Sequence, residues 1–595
     1  MELTILHIND HHSNLDSKKK DLKLLNAAGS RVTVNAEIGG FPRVTAAFQA
    51  LSAQAPNVLK LHAGDATTGT LYFNRAGEPG EADAALMNTV CFDAMTLGNH
   101  EFDKGDSGLK RFVELLHAGT CQTPVLSANV TFGANSALNP SRAPGMVKPS
   151  IVLQRDGQPI GLVGLTIANK TQQSSSPDPG TLFSDETAAA QQQIDALRAQ
   201  GVNKIVVMSH IGYDYDKRII PNLSGVDVVV GGDSHTLLGP AALSTYGVGS
   251  PAGAYPTELR NKDGKLVCLV QAWEYSQVVG ELKVSFDANG DVTACAGTPH
   301  VLMGDTFKIG GAAPASADQA AIVADVAASG FLRVQAPDAQ ATAVLQPFKA
   351  KVDAFSASLV ATVPQELCSR RVPAARLARL RPLQRRLQHA RQRQPARWRH
   401  PATRRAGLPG SGQCQLWRRR YLAAKRRRGA RAAAGQRDRG QRDRGGSVRQ
   451  HAVAPGCHRR RGQEHAGRRD AGGLRPGGST GPYPYAGGLR WDVNAALAQG
   501  SRVSNIEVRD NASGNWLPLD LNRTYKLFVL SFNATGGDGY KTLANVPAAR
   551  RQDIGVLDAD VLQAYIDKQA RDPVSGLPVL NLLPIDLYST KTYSE

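Results

Sequence analysis

Five short apolar runs between residues 3 and 235 each end in Asp, Asn or His side chains, and this pattern constrains the fold more than any other feature. The third run, residues 94–97, leads into Gly98-Asn99-His100-Glu101-Phe102-Asp103. Helical patterns at 44–53 and 186–199 lie between runs of this kind. Strands that alternate with helices form a layered α/β domain, and polar residues at the strand ends predict a site at that edge of the sheet.

The positive charge of the chain is concentrated in one segment. The protein has 595 residues and a formal net charge of +19 at pH 7. Residues 370–475 contain 31 Arg and 1 Lys against 4 acidic residues, whereas the remainder is net acidic. The charge therefore does not indicate that the folded domains bind nucleic acid. The length is sufficient for two or three domains, and no apolar run is long enough to span a membrane.

Residues 370–475 are too poor in apolar side chains for a packed core. Leu, Ile, Val and Phe together number 11, with no Ile or Phe among them. Because Arg, Ala, Gly and Pro have GC-rich codons, a GC-rich gene translated in another reading frame would have this composition. We interpret the segment as frame-shifted and disordered. The alternative is a genuine basic arm that binds nucleic acid or anionic lipid, with few aromatic side chains to stack on bases.

Cysteine spacing and the first residues bear on the cellular compartment. None of the seven cysteines forms a Cys-x-x-Cys pair, which indicates neither a zinc finger nor a disulfide framework. The chain begins Met-Glu-Leu-Thr-Ile-Leu, without a basic and apolar leader. On this ground we expect no signal peptide in the chain as written, so the protein is either cytoplasmic or trimmed at its start.

The strand ends offer ligands for a pair of divalent cations. Asp10 and His12 lie on the same side of an extended segment, and a carboxylate such as Asp65 can contact two metals that sit about 3.5–4 Å apart. The Asp103 carboxylate can hold one ring nitrogen of His100 and leave the other facing a substrate. Each residue alone could be a helix cap, a core histidine or a turn residue. The candidate ligands, which favour a metal site only as a set, are Asp10, His12, Asp65, Asn99, His210, Asp233 and His235.

These segments resemble the signature of a known family. The motifs Asn9-Asp10-His11-His12, Gly64-Asp65, Gly98-Asn99-His100-Glu101, Ser209-His210 and Gly231-Gly232-Asp233-Ser234-His235 are similar to those of the calcineurin-like metallophosphoesterases, specifically the two-domain 5'-nucleotidases. The resemblance implies a four-layer α/β sandwich at 1–305 and a smaller α+β substrate domain at 363–595, interrupted by the Arg-rich segment. Residues 306–362 include an alanine-rich stretch with helical spacing, which predicts a connecting helix.

The resemblance also implies a role for each site residue. One metal would be held by Asp10, His12, Asp65 and His235. The other would be held by Asp65, Asn99, His210 and Asp233. His100 and Asp103 would form the catalytic pair, with Asn99 near the substrate. Most family members have His at the position of Asp233, and the additional carboxylate favours Mn or Mg over Zn within the candidate set of Mn, Zn, Co and Mg.

The activity implied by the resemblance is hydrolysis of nucleotide phosphate esters, which releases nucleoside and phosphate. The Asp-His-His and Gly-Asp-Ser-His variants are similar to the branch of bacterial NAD nucleotidases, which adds hydrolysis of a dinucleotide pyrophosphate. Residues 531–540 imply Phe532 as one of two rings that hold the base and Asp538 as a nearby acid. The second ring and a set of phosphate- or ribose-facing arginines should come from 370–475, so we expect impaired activity.

Two alternatives remain open at the sequence level. One is a 2',3'-cyclic nucleotide phosphodiesterase on the same scaffold, and the other is a non-catalytic polyanion-binding protein that uses the basic insert. The expected partner is a nucleotide substrate, with no specific nucleic acid and no membrane span, and the expected state is a monomer. The resemblance implies a periplasmic or exported enzyme, in contrast to the missing leader.

Overall fold

The computed structural model describes residues 1–363, 484–498, 500–534, 540–547, 550–556 and 558–594, together with short strands at 396–397 and 445–450. The chain divides into two compact units, and the described part of the first is Met1–Phe355. All seven predicted metal ligands lie in this first unit.

Eleven strands form the larger of the two main sheets in the first unit. At its centre, β1 (Glu2–Ile8) pairs in parallel with β2 (Val58–His62), and β2 pairs in parallel with β3 (Ala94–Thr96). The carboxyl ends of these strands therefore share one edge. The other strands of this sheet are Lys18–Leu25, Arg31–Ile38, Val125–Leu126, Val147–Lys148, Val278–Phe286, Val292–Met303, Lys308–Ile309 and Leu332–Val334.

The smaller sheet has six strands, and its middle is also parallel. Here β4 (Ile205–His210) pairs in parallel with β5 (Val228–Gly231). The remaining strands are Ser150–Arg155, Gln158–Thr166, Thr257–Arg260 and Leu266–Gln271. The strands that carry the predicted ligands thus form as the apolar runs indicated.

The two sheets face each other, and helices cover their outer faces. Leu3 and Ile5 of β1 belong to the core shared with the smaller sheet, whereas Leu6 and Ile8 pack toward helices on the opposite face. This alternation follows from the two-residue period of a strand that is buried on both sides. The four layers are therefore helices, sheet, sheet and helices, which confirms the predicted fold class.

One group of helices in the first unit covers the outer face of the larger sheet. That group is Phe41–Ser52, Glu81–Met87, Gly105–Leu116 and Ala339–Ala357. The remaining α-helices are Leu71–Arg75, Ala168–Ser174, Glu186–Ala199, Tyr213–Ile219, Ala242–Thr245 and Ser316–Ala328. Single 3-10 turns occur at His100–Phe102 and Ile220–Asn222, and a two-stranded ladder joins Val130–Thr131 to Leu182–Phe183. In the described ranges, no helix combines the length and the apolarity needed to cross a membrane.

The expected connecting helix over 306–362 is wrong as a single element. Helix Ser316–Ala328 ends before Gly330, whose φ of +74° is the left-handed conformation that commonly terminates a helix. Leu332–Val334 then adds a strand to the larger sheet, and helix Ala339–Ala357 follows. Helical spacing in an alanine-rich stretch could not reveal this interruption, because the strand is defined by its partner Val292–Met303.

The expectation of no disulfide framework is also wrong. Cys91 pairs with Cys121 and Cys268 pairs with Cys295, with Cα–Cα distances of 5.3 and 5.9 Å. Cys268 lies on a strand of the smaller sheet and Cys295 on a strand of the larger one. The second disulfide therefore links the two sheets. The paired cysteines are 30 and 27 residues apart and form no local motif, so the sequence did not indicate the two disulfides.

The described part of the second unit contains three small sheets. One has the strands Trp516–Pro518, Val503–Arg509, Leu489–Asn494 and Thr590–Ser594. Another places Gly445–Gln450 between Tyr525–Leu530 and Arg551–Val556, and the third pairs Thr362–Val363 with Ala396–Arg397. Its helices are Ser531–Ala534, Lys541–Ala544 and Asp558–Asp567, with a 3-10 turn at Ile585–Leu587. The rest of the segment 370–475 lies outside the described residues.

Candidate metal centre

The side chains at the ends of β1, β2 and β5 meet in one cluster. The Nε2 atom of His12 lies 3.5 Å from Asp65 Oδ2 and 3.1 Å from His235 Nε2. The Nε2 atom of His235 lies 3.3 Å from Asp10 Oδ1. Asp10, His12 and His235 can each offer a ligand atom within 4.8 Å of the others. Residues more than 200 positions apart thus form one potential cation site.

A second group shares the same two carboxylates and includes the end of β4. The Nε2 atom of His210 lies 3.1 Å from Asp65 Oδ2 and 3.9 Å from Asp10 Oδ1. It also lies 3.9 Å from Asp233 Oδ1. The structure therefore brings together six of the seven predicted ligands, with Asp10 and Asp65 between the two groups.

Several buried atoms of the cluster make no hydrogen bond of good geometry within the described part of the chain, although Asp65 Oδ2 and His210 Nε2 are in ion-pair contact at 3.1 Å. These atoms are Asp10 Oδ1, Asp65 Oδ2, His210 Nε2 and both side-chain amide atoms of Asn99. A buried polar atom without a hydrogen bond costs about 1–3 kcal/mol, so such a concentration marks a place that a ligand completes. Carboxylate oxygen and imidazole nitrogen are donors for divalent cations. The residues present therefore fit a metal centre, and Asn99 remains a predicted ligand.

The backbone at the ligands is strained. Asp10, His12, Asp65, Asp233 and His235 have φ values of 49°, 47°, 53°, 72° and 50°, in a left-handed region that residues other than Gly rarely adopt. Strain of this kind persists where surrounding contacts impose it. A Cβ at Gly98 would lie 2.2 Å from Asp65 Oδ1, so the close approach of the two loops requires glycine there. The conformation of these turns is therefore imposed by contacts at the site and not by the backbone preferences of the residues themselves.

Glu101 holds these loops together, and the sequence reasoning missed it. The carboxylate accepts hydrogen bonds from the backbone N–H groups of Asp65 at 2.9 Å, Ala66 at 2.9 Å, Thr67 at 3.2 Å and Gly98 at 2.7 Å. Burial, together with the charge of Asp65, raises the pKa of Glu101 to about 7. Its position beside His100 was visible in the sequence, but three of its four backbone partners are more than 30 residues away.

Partners outside the centre orient the histidine rings. His210 donates from Nδ1 to the carbonyl oxygen of Ala63 at 2.7 Å, and His235 Nδ1 contacts Glu274 Oε2 at 2.8 Å. Because a carbonyl oxygen only accepts, the His210 proton is on Nδ1 and Nε2 faces the carboxylates. Such contacts fix the tautomer of metal-binding histidines. Glu274 is a further functional residue that no sequence motif indicated.

The electrostatics of the cluster favour a cation. Burial opposes charge on His210, but Asp65 and Asp10 outweigh it and raise the pKa of this histidine to about 10. The same balance, with Asp10 and Glu274 as the attracting groups, raises the pKa of His235 to about 10. Carboxylates that stabilise protons so strongly on neighbouring rings also stabilise a metal ion in their place.

His100 and Asp103 are in contact beside the cluster. His100 Nδ1 lies 2.8 Å from Asp103 Oδ2, and the His100 backbone N–H donates to Asp65 Oδ1 at 2.8 Å. The His100 and His12 rings meet edge to face at 5.0 Å. Burial opposes charge on His100, but Asp103 and Asp65 outweigh it and raise the pKa of His100 to about 9. The pair therefore presents a cationic ring next to the metal centre.

Lys170 is a third residue that the sequence reasoning missed. Its Nζ atom lies 2.5 Å from Asp233 Oδ1. Burial disfavours the charged ammonium, but Asp233 and Asp65 outweigh it, so the pKa of Lys170 is raised. The residue lies in an Ala-Asn-Lys-Thr segment with no motif of its own, and only the fold places it at the site.

The substrate-binding predictions in the second unit fall outside what the structure describes. Asp538 lies in residues 535–539, which are not among the described residues, and the side chain of Phe532 is likewise outside them, although helix Ser531–Ala534 is described. The roles of both residues remain predictions.

Comparison with known proteins identifies the class that this fold and site define. Residues 3–237 match the family model of the calcineurin-like phosphoesterases, and residues 471–545 match that of the 5'-nucleotidase C-terminal domain. Together the two matches specify a two-domain, metal-dependent phosphoesterase.

Relatives of similar length define the family. The chain is 33% identical to a probable 5'-nucleotidase of Treponema pallidum, over 95% of this chain and 91% of that protein. It is 31% identical to the NAD 5'-nucleotidase of Haemophilus influenzae, over 96% and 90% of the two chains. The solved structure of the Haemophilus influenzae NAD nucleotidase superposes with a TM-score of 0.68 at 28% identity, covering 100% of this chain and 99% of the other. The chain belongs to the 5'-nucleotidase family, and it is a metal-dependent phosphoric-ester hydrolase.

Proposed function

We propose that this chain hydrolyses 5'-nucleotides to nucleoside and phosphate with the help of two divalent cations. The observation that carries the proposal is the buried group of atoms Asp10 Oδ1, Asp65 Oδ2 and His210 Nε2, which face one another without a hydrogen bond of good geometry in the described part of the first unit. The residues assigned to one cation are Asp10, His12, Asp65 and His235. The residues assigned to the other are Asp65, Asn99, His210 and Asp233.

Bound cations of this kind supply positive charge and a water molecule that ionises near neutral pH. The residues of the chain orient the substrate and handle the proton. Asp103 fixes the tautomer and the orientation of the His100 ring through Nδ1, and we assign His100 Nε2 to the substrate. Burial opposes charge on His100, but Asp103 and Asp65 raise its pKa and so favour a protonated ring, which can donate to the leaving oxygen. The carboxylate at Asp233 adds a hard donor, which favours Mn or Mg over Zn.

A dinucleotide is a second substrate that the comparisons support. The relative from Haemophilus influenzae is an NAD 5'-nucleotidase and matches this chain over nearly its full length. Hydrolysis of a pyrophosphate and of a phosphate monoester both need in-line attack on phosphorus beside positive charge. We therefore propose that the same centre cleaves the pyrophosphate of NAD.

We infer that residues 370–475 are read out of frame and that this impairs nucleotide binding. Support comes from the composition of the segment and from the C-terminal family match, which begins at residue 471. The domains would be 1–305 and 363–595, with the segment between them at 306–362. Translation of the other reading frames over codons 370–475 tests the inference: an apolar, strand-rich product is expected, and the absence of one in every frame would disprove it.

We further propose that the enzyme is exported to the periplasm and acts as a monomer. The two disulfides support export, because disulfides persist in oxidising compartments. Mass spectrometry after thiol alkylation of the protein isolated from its native cells tests the location. Labelling of Cys268 and Cys295 without prior reduction would contradict it. Light scattering during gel filtration tests the oligomeric state.

The test of function is phosphate release from AMP and from NAD by the full chain in the presence of Mn, Co, Zn or Mg. Activity is expected to require added metal and to be lost on chelation. Asp65→Asn removes the carboxylate shared by both sites and is expected to lower kcat by at least about a hundredfold. Asp195→Asn, an exposed carboxylate of helix Glu186–Ala199, is the matched control. A wild-type chain that binds no divalent metal would contradict the proposal.

A further inference from the structure

Lys170 brings a positive charge to the rim of the metal centre. Its Nζ atom is 2.5 Å from Asp233 Oδ1, and that oxygen is 3.9 Å from His210 Nε2. The Lys170 side chain is 20% exposed, so the ammonium is neither sealed in the core nor dispersed in solvent. An ammonium has three N–H donors, and the contact with Asp233 uses one of them. The group can therefore hold Asp233 and an anion at the same time.

The backbone holds Lys170 in this position. Helix Ala168–Ser174 starts beside the end of β4, because the N–H of Ile167 donates to the carbonyl oxygen of His210 at 3.0 Å. The N–H of Ala168 donates to Glu186 Oε1 at 2.8 Å, and Ser174 Oγ donates to the Lys170 carbonyl at 2.7 Å. The helix that carries Lys170 is thus tied at its start to the strand end that carries His210, a predicted metal ligand.

Lys170 offsets part of the negative charge at the metal centre. The carboxylates of Asp233, Asp65 and Asp10 and the ring of His100 interact with its charge. A phosphoryl group that approaches three carboxylates needs cationic donors to offset their repulsion. Asp233 also lines a cavity of about 560 Å³ together with Gly212, Tyr213, Tyr215 and Arg218. Asp233, the partner of Lys170, therefore borders both the metal-ligand cluster and this cavity.

We propose that Lys170 is a substrate-binding residue that donates a hydrogen bond to a phosphoryl oxygen, while Asp233 keeps its ammonium in place. The inference rests on the proposed hydrolase function and extends it, because it assigns a phosphate-recognising group within the first unit. This contact does not depend on any residue between 370 and 475. It would let the chain as written retain affinity for small phosphate compounds.

Binding of inorganic phosphate to the Mn-loaded full chain, measured by isothermal titration calorimetry, tests the proposal without relying on turnover. Lys170→Met is expected to weaken phosphate binding by about ten- to a hundredfold, the usual effect of losing a hydrogen bond to a charged group. The Mn content, measured by plasma mass spectrometry, should stay unchanged. Lys170→Arg should recover most of the affinity. With p-nitrophenyl phosphate as substrate, Lys170→Met should raise KM more than it lowers kcat.

Lys265→Met is the matched control. Lys265 immediately precedes strand Leu266–Gln271, and its ammonium also pairs with a carboxylate, that of Asp291. It should bind phosphate as the wild type does. Unchanged phosphate affinity in Lys170→Met would overturn the proposal, as would a loss of Mn that Lys170→Arg fails to restore, or a wild-type chain that binds no phosphate. If the chain binds phosphate through Lys170 but hydrolyses neither AMP nor NAD, the proposed function is contradicted while the role of Lys170 in binding stands.

Discussion

At the scale of single residues, the metal centre depends on side chains that support the ligands as much as on the ligands. Asp65 is held from two sides, since its backbone N–H donates to Glu101 and its Oδ1 accepts from the N–H of His100. Its left-handed φ of 53° is unfavourable unless such contacts impose it. The position of the shared carboxylate is therefore decided by hydrogen bonds between loops.

Glu101→Gln is expected to weaken the centre without touching a metal ligand. Glutamine keeps one acceptor oxygen and turns an NH₂ group toward backbone N–H groups that need an acceptor. This leaves buried donors unsatisfied, so we expect a loss of about 1–3 kcal/mol in the free energy of unfolding and of about ten- to a hundredfold in metal affinity. Denaturant unfolding of the apoprotein and metal titration measure the two effects.

Glu114→Gln, on the outer helix Gly105–Leu116, is the control for this change, because Glu114 pairs only with exposed Arg111 and Lys110 among the described contacts. It should leave both quantities nearly unchanged. Wild-type metal affinity in Glu101→Gln would show that the loops keep their positions without the carboxylate.

At the scale of elements, the two sheets are joined by their shared core and by a covalent link. Leu3 and Ile5 of β1 face the smaller sheet, and Cys268 and Cys295 connect the sheets. The ends of β4 and β5 must meet the ends of β1 and β2 for the centre to form. The alignment of the sheets is therefore a condition for metal binding.

Removal of the inter-sheet disulfide by Cys268→Ala with Cys295→Ala is expected to destabilise the first unit. A disulfide of this loop length contributes about 2–4 kcal/mol, chiefly by restricting the unfolded chain. Thermal unfolding of the variant under non-reducing conditions measures the loss. Cys368→Ala serves as the control, and an unfolding temperature equal to that of the wild type would show that this disulfide does not contribute to stability.

The junction between β4 and β5 should make stability depend on pH. Asp227 Oδ2 accepts a hydrogen bond from the N–H of Ile205 at 2.7 Å, and burial raises the pKa of Asp227 to about 7 from an ordinary value of 3.8. The folded state therefore holds the proton more tightly than the unfolded state. This stabilisation is fully present below about pH 4 and is lost as the pH rises to about 7, by about 1.4 kcal/mol per unit of pKa difference.

Asp227→Asn removes this titration. Relative to the wild type, the variant should therefore gain unfolding temperature steadily between about pH 4 and pH 7. Calorimetric scans of both proteins across this range measure the difference. A constant difference would mean that Asp227 titrates alike in the folded and unfolded states.

At the scale of the whole molecule, the two units differ in how much hydrophobic core they bury in the chain as written. The first unit has three large hydrophobic core clusters and all six clustered ligands. The described strands of the second unit bury few side chains, of which Trp491, Val493 and Val503 form one small core. We therefore expect catalysis to survive better than nucleotide recognition.

A chain with residues 370–475 restored to the frame of the flanking sequence should bind nucleotides better. Recovery of one stacking ring contributes about 1–3 kcal/mol, so the KM for AMP should fall by about ten- to a hundredfold. The KM for p-nitrophenyl phosphate should change little, because it lacks a nucleoside. Steady-state kinetics on both substrates, with both chains, measure this. An equal KM for AMP in the two chains would argue against a role for the segment in substrate binding.

The sequence by itself determined the strands, the polar residues at their ends and the chemical type of the site. These properties are local: apolar runs make strands, and Asp and His side chains that follow them are ligands wherever the strands meet. Only the tertiary structure decided that Glu101 supports a loop 36 residues away and that Lys170 reaches Asp233 across 63 residues. The pairing of Cys268 with Cys295 and the strand that interrupts the expected connecting helix were likewise evident only in the tertiary structure. Contacts of this kind arise from the packing of the two sheets, and no spacing along the chain records them.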